Sequence, residues 1–170
     1  MKQVPLTRGH VTLVDDEDYE WATQWKWCAH LSARKGGTWR AVRTTRIGAK
    51  PGCQKRFIYL SRALLGLTDR KQYAEHRNGD ALDNRRGNLR VATNAQNQAN
   101  TGKGVSNTSG FKGVYWAPHR NSPKKWAAAL RVKRKKVHLG YFLTPQEAGE
   151  AYQQKAKAVH GEFFRDEGGQ

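Results

Sequence analysis

A chain of 170 residues is long enough for one large domain or two small ones, and each small one would be only marginally able to bury a core of its own. Lys and Arg number 31 against 14 Asp and Glu, a formal net charge of +17, which points to a polyanionic partner. No apolar stretch approaches the roughly 20 residues that span a bilayer, MKQVPLTRGH lacks the apolar core of a signal peptide, and Cys28 and Cys53 are too few for a zinc ribbon or a disulfide framework.

The acids crowd the start, in Asp15-Asp16-Glu17-Asp18 and Glu20. None occurs from Asn84 to Gln146, a stretch that carries thirteen Lys or Arg. Solvated faces normally mix both signs, so phosphate binding is the expected role of this cationic middle. Nucleic acid is the first candidate partner and an anionic membrane surface the second, with a reducing cytoplasm as the default.

Taken in chain order, residues 10 to 67 read as short strands with little helix. His10–Val14 is an apolar run, WRAVRT from Trp39 alternates, and RFIYL from Arg56 is aromatic and β-branched. Asp16 to Trp27 predicts one or two helical turns, with acids at the favourable end of the helix dipole. Trp21, Trp25 and Trp27 are expected in the core, and SRALLGL from Ser61 reads as a short helix.

Residues 73 to 100 carry the chemistry. Asn78-Gly79 is a strong turn signal, Leu89–Ala92 a short strand, and Thr93 with Gln96 a capping box that opens a helix. The order is strand, long loop, strand, helix, in which Glu75, His76 and Asn97 can converge. Carboxylate and amide oxygens suit Mg²⁺ or Mn²⁺, and an imidazole beside them supplies a base for phosphodiester hydrolysis. Asn78, Asp80, Asp83 and Asn84 are also ordinary turn residues.

The run His76-x-Asn78-Gly79-Asp80-x-x-Asp83-Asn84-Arg85-x-x-Asn88-Leu89-Arg90, followed by Gln96-Asn97, closely resembles the HNH nucleases of phage and intron homing endonucleases. The resemblance extends from about Trp25 to Asn100. It implies His76 as general base, Asn88 as the central Asn that orients the His ring and braces the loop, and Glu75 with Asn97 as ligands of one Mg²⁺ or Mn²⁺ ion. Arg85 and Arg86 are assigned to DNA contact. The narrowing to double-stranded DNA, met by a monomer in the cytoplasm of a phage or bacterial host cell with no membrane or protein partner, is implied only by this resemblance. Glu75 stands where these nucleases usually carry Asp, and Ser61 where they usually carry His.

Thr101 to Gly110 is poor in apolar residues and rich in Gly, Ser, Asn and Thr, so it reads as a linker, with domains at 1–104 and 105–170. FKGVYW, KKWAAALRV and KKVHLGYF then predict a three-stranded antiparallel sheet. LTPQEAGEAYQQKAKAVHG predicts a helix: Thr144 as N-cap, Pro145 at its first position, Glu147 completing the capping box and Gly161 as the stop. Its inward stripe is read as Ala148, Ala151, Tyr152, Lys155 and Val159.

These segments resemble the plant ethylene-response-factor (Apetala-type) DNA-binding domain across residues 109 to 164. In that family the three strands lie in the major groove. Matching positions make Tyr115, Lys125, Trp126, Arg131 and His138 the contacts, with Trp116, Arg120, Lys133, Lys135 and Lys136 close by. Tyr115 stands where plant members usually place Arg, and Trp126 fits a core position equally well. The combined expectation is an α+β chain, a ββα-metal (HNH) nuclease domain plus a small antiparallel sheet on one helix, acting as a DNA endonuclease. The alternative is a DNA-binding product of a mobile element that has lost cleavage.

Overall fold

The computed structural model describes residues 1–32, 37–47, 54–118, 121–133 and 135–165. Its architecture is mixed α+β, built from small antiparallel sheets and short helices. The chain divides into two compact units, 1–94 and 95–170.

The first unit opens with strand β1 (Lys2–Pro5), paired antiparallel with β2 (Val11–Val14). Helix α1 (Asp16–Thr23) follows, with Asp16, Glu17 and Asp18 in its first turn. Strands β3 (Cys28–Leu31), β4 (Trp39–Ile47) and β5 (Gln54–Tyr59) form a three-stranded sheet with β4 in the centre. Helix α2 (Leu60–Leu64) leads to β6 (Tyr73–His76), which pairs antiparallel with β7 (Leu89–Ala92).

A core of Val4, Val14, Ala22, Trp27, Ala29, Ala41, Leu60, Leu64 and Leu89 holds these elements together. Trp27 is its largest fully buried side chain, and its indole N–H donates to the carbonyl of Ala22 at 2.8 Å, so the polar end of the ring is satisfied. Trp21 packs against this core, but Trp25 does not join it. Trp25 is exposed, and the Arg43 guanidinium lies 3.8 Å from its ring centre. Strands β1 and β3 were not foreseen, because four residues each leave too short a pattern to read.

In the second unit, α3 (Asn94–Asn100) begins directly after Thr93. The division after Asn94 falls ten residues before the boundary read from the linker composition. Lys112 gives a reason, because its ammonium donates to the carbonyls of Gln98, Ala99 and Thr101 and ties the end of α3 to the following segment. Strands β8 (Val114–Trp116), β9 (Trp126–Val132) and β10 (Lys135–Phe142) form an antiparallel sheet with β9 central.

Helix α4 (Pro145–His160) starts where the capping residues place it: the Glu147 N–H donates to Thr144 Oγ1 at 3.2 Å. The Glu147 carboxylate reaches back to the N–H of Leu143. Its buried face is Ala148, Gly149, Tyr152 and Ala156, whereas Lys155 and Val159 of the expected stripe are exposed. Glycine decides this choice of face. A Cβ at Gly149 would stand 2.6 Å from the Phe111 ring, and one at Gly113 2.2 Å from the Tyr152 ring, so the helix lies where only glycine allows the approach.

Candidate functional site

The loop from Arg77 to Asn88, between β6 and β7, is fixed by its own polar side chains. The Asn88 amide donates to Asn78 Oδ1 at 3.0 Å and to the Asp83 carbonyl at 2.7 Å, while the Asn78 N–H donates to Asn88 Oδ1 at 3.0 Å. Asn88 therefore braces the loop. Gly79, with φ of 77°, makes the turn that its Asn-Gly pair predicted.

The loop is also stitched to β2. The N–H of Leu13 donates to the Leu82 carbonyl and the N–H of Asn84 to the Leu13 carbonyl, each at 2.9 Å. Asn84, only 1% exposed, donates its amide to Thr12 Oγ1 at 2.8 Å, and Thr12 donates onward to the Leu82 carbonyl at 2.6 Å.

This chain ends on His76. Its Nε2 lies 3.2 Å from Asn84 Oδ1. Because the Asn84 nitrogen is committed to Thr12, the oxygen faces the ring and accepts, so the neutral ring carries its proton on Nε2 and its lone pair on Nδ1. Burial pushes the His76 pKa below the ordinary imidazole value, against the raising effect of the Asn84 bond, and the Arg40 charge lowers it further. The ring bond resolved here is thus from Asn84, not from Asn88 to which the orienting role was assigned. Asn84 had been read as a turn residue, and its contact with Thr12, 72 positions away, leaves no mark in local sequence.

Glu75 has another use. Successive side chains of a strand leave on opposite faces, and Glu75 stands opposite Arg90 in the ladder. Both of its oxygens accept from that guanidinium, Oε2 from Nε and Oε1 from Nη2 at 3.0 Å. The pair is buried, with Glu75 2% and Arg90 8% exposed. As they stand, these side chains do not fit a divalent ion. The Arg90 charge holds the carboxylate oxygens that an ion would need, and among the described residues no group of three or more His, Cys, Asp or Glu is placed to hold a metal. Asn97 lies on α3, in the second unit. The convergence of Glu75, His76 and Asn97 is therefore not contained in the first unit.

The two loop arginines have carboxylate partners. Arg85 makes a two-pronged pair with Asp83, both bonds 2.7 Å, and holds the Asp83 carboxyl below the usual carboxylate range. Arg86 makes a two-pronged ion pair with Asp18 of α1, at 2.8 and 2.7 Å, and its backbone N–H donates to Asp15. Arg86 thereby anchors the loop to the acidic start of the chain, the cluster whose charge stood out in the sequence.

In the second unit, the face of β8–β9–β10 turned away from α4 carries Tyr115, Arg131, Lys136 and His138, four of the expected contacts, above Ala127 and Ala129. Lys136 lies 4.6 Å from the Tyr115 ring centre. Tyr141 belongs to this face too, with its ring 4.7 Å from His138, and sequence reading missed it. The reason is a bulge: the register shifts between His138 and Gly140, so residues three apart share a face that simple alternation would deny them. Gly140 is the visible trace of that bulge.

The other expected contacts fall elsewhere. Trp126 is half-buried in the second core, as its alternative reading held, and exposed Trp116 meets it edge-on at 5.0 Å. Lys133 sits in the β9–β10 turn at φ 47°, and Lys135 opposes Val132 on the core side. Lys125 is half-buried just before β9. Arg120, and with it His119 and Cys53, lies outside the described residues.

The chain is 27% identical over 111 residues to Protein 3.8 of Escherichia phage T7, a match that covers 65% of this chain and 88% of that protein. No family model matches the sequence, and no solved structure does. Among the described residues no helix is long and apolar enough to cross a membrane.

Proposed function

We propose that this chain is a DNA endonuclease of the HNH homing type, in which His76 takes the proton from the water that attacks a phosphodiester and the open face of β8–β9–β10 grips the duplex. The observation that carries the reading is the relay from Leu82 through Thr12 and Asn84 to His76. It fixes an imidazole in one tautomer, and burial keeps that ring unprotonated near neutral pH. A structural histidine needs neither property; a general base needs both. The Tyr115, Arg131 and Lys136 face offers guanidinium and ammonium donors on a surface about as wide as a major groove. Likeness to a phage protein fits a phage source.

The resemblance implies one Mg²⁺ or Mn²⁺ ion, but the Glu75–Arg90 pair does not fit one, and no chemical step is derived through it. That same pair favours the second reading, a DNA-binding protein that no longer cleaves. Incubation with supercoiled plasmid, with and without Mg²⁺ or Mn²⁺, beside a gel-shift titration, separates the two. The expected result is nicked or linear plasmid for the natural chain and loss of that product for His76→Ala, whose DNA affinity stays within about twofold because Lys and Arg supply it. Equal cleavage by His76→Ala removes the assigned centre. Binding without cleavage under every metal condition establishes the second reading.

A further inference from the structure

From Trp21 to Thr68 there is not one Asp or Glu, while ten Lys or Arg occur. This second acid-free stretch contains the whole β3–β4–β5 sheet, and one face of that sheet is laid out by its register. His30 stands opposite Arg40, Thr44 opposite Phe57, and Arg46 opposite Lys55, all on the same side by the two-residue period of a strand. Arg40, Arg46, Lys55 and Phe57 are exposed, Val42 on the same side between Arg40 and Thr44 is buried, and the His30 and Phe57 rings meet at 5.1 Å. The opposite side of the sheet, with Ala29, Ala41 and Ile58, faces the core.

We infer that this face is a second DNA-docking surface, which binds the phosphate backbone of the duplex through Arg40, Arg46 and Lys55, with Phe57 as an apolar contact between them. The inference rests on the endonuclease reading and extends it. Arg46 and Lys55 are like charges directly across a ladder, an arrangement that weakens a sheet. Among the described residues no carboxylate pairs with either of them. An anion lying between them turns that repulsion into binding. Arg40 and Arg46 are six residues apart on one strand, about 20 Å, or roughly six base pairs of duplex rise.

The test uses the full chain with Arg46→Gln and Lys55→Gln, alone and together, and a duplex titrated over a range of salt concentrations. A control, Lys155→Gln with Lys157→Gln, removes the same charge from the exposed side of α4. The double variant is expected to bind about tenfold more weakly at low salt and to lose about two units of the slope of log K against log salt, roughly 0.9 for each phosphate contact; the control keeps the slope. Lys55→Gln alone is expected to raise the melting temperature of the free protein by about 1–3 °C while weakening binding, opposite signs that a structural lysine would not give. A double variant with natural slope, or a loss seen only with single-stranded RNA, overturns the surface while the endonuclease reading stands. A natural chain that binds no duplex overturns both.

Discussion

His76 is where protonation, geometry and function meet in one side chain. Its folded-state pKa lies below the ordinary value of about 6.5, first because burial disfavours imidazolium. A base with a lowered pKa stays deprotonated further into acid, so the rising limb of a rate–pH profile for plasmid cleavage is expected to have its midpoint below pH 6.5. Asn84→Ala removes both the ring partner and the buried bond to Thr12. Because the Asn84 bond raises the His76 pKa, the limb is expected to move further below 6.5 while the maximal rate falls. The sign for stability is fixed by the same shift. Folded His76 binds a proton more weakly than unfolded His76, so its contribution is whole above about pH 6.5 and is lost as the pH falls below it. A limb at or above 6.5 in the natural chain would mean that another group sets the rate. The polar loop between His76 and Asn88 was legible in the sequence, because its Asn-Gly turn and polar residues are local signals. The part Asn84 plays was not, because it depends on Thr12, which only the docking of the loop on β2 brings within reach.

At the scale of elements, the β6–β7 ribbon shows how a strand pairing can reassign a residue. Spacing put Glu75 beside His76 and so beside a metal; the ladder puts it opposite Arg90 instead. Removing one member of a buried pair leaves the other charge without compensation, so Glu75→Ala is expected to cost about 3–5 kcal/mol in urea unfolding of the full chain. Replacing both with apolar residues of similar size, Glu75→Leu with Arg90→Met, is expected to recover most of that loss. A small effect of Glu75→Ala on unfolding, combined with loss of Mg²⁺ dependence in cleavage, would instead return Glu75 to the role of ligand. The C-terminal elements were read more fully. Each of their signals is local: Thr144 and Glu147 at the start of α4, Gly161 at its end, and apolar runs of strand length before it. The inward face of α4 was misplaced by a few residues because two glycines, not the largest apolar side chains, determine how close the helix comes to its sheet. Tyr141 was missed for a related reason, since a bulge changes the period on which facing is judged.

The molecule as a whole divides its charge nearly evenly. Residues 1–94 hold 18 Lys and Arg against 9 acids, and residues 95–170 hold 13 against 5. Composition had drawn attention to the basic stretch from Asn84 to Gln146, but the first unit carries a comparable excess, and its acids are concentrated at Asp15 to Glu20, where Asp15 and Asp18 are engaged by Arg86. On the proposed reading, two DNA-binding faces on one chain would act as a linked pair: once the first is seated, the second meets the same duplex at a high effective concentration. Affinity should then depend on duplex length in a characteristic way. On short duplexes only one face can be satisfied, and Kd is expected to improve in proportion to the number of positions available. Beyond the length that accommodates both, affinity is expected to step up by about tenfold without any new contact type. Arg46→Gln with Lys55→Gln should abolish the step by disabling one face, and Arg131→Gln with Lys136→Gln should abolish it by disabling the other, each leaving the short-duplex affinity of the face that remains. A fluorescence titration over a ladder of duplex lengths measures all three proteins. If the natural chain shows only the proportional rise, or if one pair of substitutions leaves the step intact, a single face carries the binding.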